Sequence, residues 1–194
     1  MATQQTGFVF VAQARSWLPD PIGGILWFGV DDAKSTVFVP MYGSITRAPR
    51  AYAAGNGDMM TWSDDAAFWA FNQVSNLAYT RYSAIIADVR TVQQELEAKF
   101  LADTPAIDKA AVELYQANPQ MAVDFLTEYS VKQGDATARR WRELYQQLFV
   151  KYMDGNIKSP DPPNRNPKVV QPGYGEAWYR RILSEKGAHF KIPD

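Results

Sequence analysis

The residues able to do chemistry in this chain are few. Asp31-Asp32 sets two carboxylates side by side, the raw material of general acid–base work, in a segment whose composition equally makes a turn with solvated acids. Gly55-Asn56-Gly57-Asp58 can turn sharply and present backbone amides and a carboxylate to an anion or a substrate amine, or it is a plain loop. Arg81 lies between Tyr79 and Tyr82, with Asn72 and Asn76 roughly two turns and one turn before it. Polar groups in so aromatic a segment need partners when buried, as structural hydrogen bonds or as a site. Arg139, Arg140 and Arg142, around Trp141, read as a solvated helix face. His189, near the C-terminus, reads as a surface residue.

What is missing excludes more. The 194 residues contain no cysteine and one histidine. That rules out a disulfide framework, a cysteine zinc site and a cysteine nucleophile on this chain, and with them a two-histidine metal centre. No metal and no organic cofactor is expected. The 20 basic and 21 acidic residues give a net charge of −1, which argues against nucleic-acid binding through phosphates. Aromatic residues make up 13%, enough for a packed core rather than disorder. The first apolar run, Gly7 to Ala12, is far too short for a signal core or a membrane span. The reading is a soluble, cytoplasmic chain with no membrane association. A secreted parent stays open, because a natural product that starts upstream could carry a signal peptide.

The elements that must position these residues change character along the chain. Residues 1–62 are strand-rich. Gly7–Ala14, Gly23–Val30 and Thr36–Tyr42 are β-branched and aromatic, and the polar link Asp31–Ser35 predicts an antiparallel hairpin between the second and third. Their nearly continuous apolar character predicts a sheet covered on both faces. Pro40 belongs at a strand end or bulge. Residues 63–155 are helical. Ser63, Asp64 and Asp65 suit a helix start, and a stripe from Phe68 through Val89 to Phe100 predicts one helix to about Leu101. Thr104-Pro105 and Asn118-Pro119 open two more, the latter ending near Gly134, and a fourth spans Asp135–Met153. Residues 156–194 are a proline-rich segment and a tail with one short helix, Glu176–Glu185.

These residues carry a resemblance. The runs "QARSWLPDPIGGILWFGVDDAKSTVFVPMYGSITRAPRAY" and "GNGDMMTWSDDAAFWAFNQVSNLAYTRYSAIIADVRTVQQELEAKF", with the ending "GYGEAWYRRILSEKGAHFKI", resemble the C-terminal half of the C69 family of bacterial dipeptidases. The resemblance implies an α+β chain, part of a four-layer αββα N-terminal-nucleophile hydrolase. It also implies hydrolysis of the dipeptide amide bond by an N-terminal cysteine whose own α-amino group is the base. By the pattern of "NLAYTRYS", Arg81 is the implied electrostatic residue, steadying an oxyanion or a substrate carboxylate, with Asn76 orienting it. Asn56 and Asp58 are the implied contacts to the dipeptide amine.

The sequence departs from the family where it matters most. There is no cysteine, and neither Ala2 nor Thr3 stands in for one. Three explanations follow: a fragment of a dipeptidase, a subunit completed by its missing N-terminal half or an oligomer partner, or a silent remnant. The fragment, inactive alone, is the preferred reading. The rival is a non-catalytic helical interaction module with closed sheet edges. A family match confined to the first 60 residues would count against the dipeptidase assignment.

Overall fold

In the computed structural model, which describes residues 3–191, the three apolar runs form one antiparallel sheet. β1 (Phe8–Ala14) pairs with β2 (Gly24–Val30), and β2 with β3 (Val39–Tyr42). The predicted hairpin is therefore present. Its second strand starts at Val39 rather than Thr36, because side chains of a helix take the intervening backbone. Gln93 Nε2 donates to the Thr36 carbonyl (2.6 Å), and the Phe38 N–H donates to Glu97 (3.0 Å). Pro40, opposite Trp27, is tolerated because β3 is an outer strand.

The predicted cover on both faces holds at only one side of the sheet. All four residues of β3 are buried, whereas β1 is exposed along nearly its whole length. Helices pack against β2 and β3 and stop short of giving β1 the same cover. The result is an α+β chain.

The helices differ from expectation at their ends. A short α1 (Asp20–Gly23) precedes β2. The single helix expected over 63–101 is two, α2 (Ala67–Thr80) and α3 (Tyr82–Ala117). They meet at Arg81, whose backbone (φ −154°, ψ 65°) is not helical. The Arg81 N–H closes on the Ala78 carbonyl, and its own carbonyl accepts from Ala84 and Ile85 to restart the coil. Ser63 does not cap α2. Its hydroxyl donates to Asn56 Oδ1 (2.6 Å) and accepts from the Asp65 N–H, so the helix waits until Ala67.

α3 passes through Pro105 without stopping. A proline there frees the carbonyl of Leu101, which lies on an exposed face where water can reach it. α4 (Pro119–Tyr152) begins where Asn118-Pro119 predicts, with Asn118 Oδ1 accepting the Gln120 N–H (2.9 Å). It runs on through Gly134, which is not a stop. A Cβ at 134 would lie 2.4 Å from Pro49 Cγ, so this glycine lets the loop before the helices approach the α4 backbone.

The core gathers around one buried ion pair. Arg15, at the end of β1, donates to Asp108 of α3 and through Nη2 to the Ile22 carbonyl (2.7 Å). Asp108 also accepts the Tyr42 phenol (2.7 Å). Ile22, Ile25, Ala111 and Leu126 close over this network, and Tyr129 of α4 packs edge-on to Tyr42. Elsewhere Trp141 stacks on Phe71 at 4.7 Å, joining α4 to α2.

Residues 150–194 form a second compact unit, described by itself. After a one-turn 3₁₀ helix at Met153–Gly155, β4 (Ile157–Ser159) and β5 (Lys168–Val170) pair antiparallel inside the proline-rich segment, where no strand was expected. α5 (Glu176–Lys186) is the predicted last helix. Tyr174 stacks on Trp178 at 4.1 Å. Among the described residues no helix is long and apolar enough to cross a membrane. Ala2 lies outside the described residues, and the Thr3 hydroxyl sits 3.3 Å from that of Thr6.

Two outcomes follow. Asp108→Ala strands a buried guanidinium and a buried phenol, and should lower stability by about 3–5 kcal/mol in urea unfolding, with Asp108→Asn losing less. Burial, then the charges of Asp103 and Asp108, push the Tyr129 phenol up to about 12. The unfolded chain ionises it near 10, so its contribution is intact below pH 10 and is lost as pH rises towards 12. Alkaline titrations of stability should show this loss, and Tyr129→Phe should reduce it.

Candidate functional site

The two adjacent carboxylates at the end of β2 are not solvated. Asp31 and Asp32 are each 1% exposed. Asp31 has a positive φ of 65°, a conformation that Asp tolerates better than most residues. Its carboxylate is held by α2, accepting Asn72 Nδ2 (3.0 Å) and the Ser75 hydroxyl (2.5 Å), while its N–H donates to the Gly7 carbonyl (2.9 Å). Asp32 accepts the Tyr79 phenol (3.0 Å) and the Lys34 N–H (3.1 Å). Partial desolvation, then the hydrogen bond to Asp32, raises the Tyr79 phenol above its ordinary value.

Asn72, Ser75 and Tyr79 are spaced by three and four residues, so one face of α2 presents all three to the turn. That spacing, with polar groups beside an apolar stripe, is the signal by which Ser75 and Tyr79 could have been picked from sequence. Arg81 follows two residues after Tyr79, half-buried at the break between α2 and α3. Its neighbours in sequence, Tyr79 and Tyr82, pack their rings 5.7 Å apart. The helix break, the tyrosine pair and the buried acid turn thus converge on one end of α2. Asn76 is exposed, and its amide donates to the Asn72 carbonyl of its own helix (2.9 Å).

Asn56 and Asp58 lie elsewhere. They share a pocket of about 240 Å³ with Gly57, Met59, Ala66, Phe68 and Trp69, and neither Arg81 nor Asn76 lines it. Asn56 is committed to the loop, donating to the Arg50 carbonyl (3.2 Å) and accepting from Ser63. The Met60 N–H, then the Thr61 hydroxyl, hold the Asp58 carboxyl below its ordinary range. Gly57 has φ +80°, and a Cβ there would meet the Thr61 carbonyl at 2.9 Å, so the turn needs glycine. Met59 and Met60, 90% and 94% exposed, stand at the tip. The four residues implied for the site thus divide into two pairs, one at the end of α2 and one on the loop.

Of the basic cluster, Arg139 is exposed and Arg142 half-buried, while Trp141 between them is core. His189 is exposed. Among the described residues no group of three or more His, Asp and Glu is placed to hold a metal ion.

The model of peptidase family C69 matches residues 1–95, a span running from β1 into α3 and well past residue 60. The chain is also similar to two proteins of Streptococcus pyogenes named probable dipeptidase B, one from serotype M1 and one from serotype M3 strain MGAS315. Each is 19% identical over 71% of this chain. The chain spans about a quarter of the length of these curated relatives, 27% in both.

The acid turn gives a direct measurement. Asp31→Ala removes two side-chain hydrogen bonds to a buried carboxylate and places alanine at positive φ. It should cost about 2–4 kcal/mol in chemical unfolding. Asp31→Asn keeps a residue suited to that backbone and an acceptor for Ser75, and should cost less.

Proposed function

We propose that this chain is part of a dipeptidase of the C69 type, hydrolysing the amide bond of dipeptides, and that its cysteine nucleophile is carried by polypeptide outside this sequence. The family match and the dipeptidase relatives support the reaction class. The observation that carries the second clause is β1. Phe8 and Phe10 (60% and 51% exposed) lie on one face of this outer strand, and Val11 (55%) lies on the other. A strand apolar on both faces and open along one edge is what a sheet interrupted at an internal boundary looks like. Beneath Val11 a pocket of about 240 Å³, lined by Trp27, Phe38, Leu101 and Glu97, offers a socket for an apolar side chain. Burial raises the Glu97 carboxyl against the lowering effect of the Phe38 N–H.

In this reading Arg81 is the electrostatic residue, stabilising a developing oxyanion or the substrate carboxylate by charge-assisted hydrogen bonds. Asn76 acts beside it, and Asn56 and Asp58 engage the dipeptide from the loop. The partner on β1 is the cysteine-bearing part of a C69 enzyme, and the protein works away from membranes, in the cytoplasm.

The purified chain alone should hydrolyse none of a dipeptide panel; turnover by it would overturn the clause on the nucleophile. Co-expressed with the cysteine-bearing segment of a C69 dipeptidase, it should yield dipeptide hydrolysis that is lost when that cysteine is changed to serine. Phe10→Lys should weaken the assembly at least ten-fold. Arg81→Ala in the assembly should lower kcat by about 10²–10³. Assembly with no hydrolysis would favour a non-catalytic partner-binding subunit instead.

A further inference from the structure

We infer that the hollow between the loop at Arg50 and the middle of α4 binds a small carboxylate anion. It has a volume of about 250 Å³ and is lined by Arg50, Ala51, Asp65, Asp135, Arg139 and Arg142. Three guanidinium groups face two carboxylates there, leaving one net positive charge. Both carboxylates already accept hydrogen bonds. Asp65 takes Arg50 Nη2 (2.6 Å), and Asp135 takes the Ala51 N–H (3.0 Å). Arg139 and Arg142, three residues apart on α4, project to one side of the helix and supply the remaining charge.

One of these donors is shut away without an acceptor. Arg142 Nη1 is buried and makes no hydrogen bond. The charge of this guanidinium is therefore not offset at Nη1, and an anion in the hollow meets it through the part of Arg142 that lines the hollow. The walls are fixed in advance. Pro49 lies against the α4 backbone at Gly134, and the Ala51–Asp135 bond ties the loop to the helix one turn before Arg139. The donors are therefore held in place before a ligand arrives, which lowers the entropy lost on binding.

The charge count selects the ligand class. One monovalent carboxylate neutralises the hollow, whereas a phosphate dianion would leave excess negative charge beside Asp65 and Asp135. The flat guanidinium fork matches the two oxygens of a carboxylate. This inference rests on residues that carry no part of the proposed dipeptidase reading, so the two stand or fall separately.

The test is calorimetric titration of the full chain with N-acetylglycine, with N-acetylglycinamide as its uncharged counterpart and inorganic phosphate as the competing anion, at constant ionic strength. N-acetylglycine should bind saturably with one site, the amide should not bind, and phosphate should bind more weakly. Arg139→Gln and Arg142→Gln should each weaken N-acetylglycine at least ten-fold, while Arg140→Gln, outside the hollow, should leave it unchanged. Arg139 is exposed, so its variant should fold even if the Arg142 variant does not. Absence of saturable binding, binding indifferent to Arg139→Gln, or tighter binding of phosphate than of N-acetylglycine would each overturn the assignment.

Discussion

The buried pair between Arg15 and Asp108 is the constraint on which the main unit depends. It joins residues distant in sequence, the end of β1 and the middle of α3, where Arg15 is 6% and Asp108 15% exposed. An ion pair in that position is worth little on desolvation grounds alone. Its value lies in what it specifies. With Asp108 also holding Tyr42, a single carboxylate fixes β1, β3 and α3 in one arrangement, and Arg15 binds the Ile22 and Gly23 carbonyls as well. Any slip of β1 by one residue would carry Arg15 to the other face of the strand and break all of these bonds together.

Side chains of α3 and α4 complete the backbone hydrogen bonding of the sheet and its following loop. The Phe38 N–H goes to Glu97, that of Tyr42 to Ser130, that of Thr46 to Thr127 and that of Ala51 to Asp135. These side chains do for β3 and the loop what a further strand would otherwise do. They explain why one outer strand of the sheet is finished with polar side chains while the other is left open.

How much of this was legible in the residues depends on the range of the interaction. The β2–β3 hairpin, the start of α4 at Asn118-Pro119 and α5 are set by local turn and capping chemistry, and local patterns reveal them. The passage of α4 through Gly134 and the burial of the acid turn are set by partners far along the chain. Pro49 against Gly134 and the hold of Asp31 on Asn72 and Ser75 have no local trace. The acid turn shows the same limit. Asp31-Asp32 was visible as a pair, but its burial follows from donors on a helix some forty residues away. Arg81 was marked by family pattern, and its place at a helix junction came only with the fold.

The gradient of cover across the three strands also orders them in time. β3 is sealed under helices, β2 is intermediate and β1 rests on its pairing with β2 and the anchor at Arg15. Opening free energies within one domain follow such gradients, so the outermost strand frays first and most often. The most exposed strand is thus also the one that opens most readily, and in the proposed assembly it can adjust its path while its companion settles. In the proposed assembly, recognition at this edge is a late, adaptable step of folding rather than the docking of two finished surfaces.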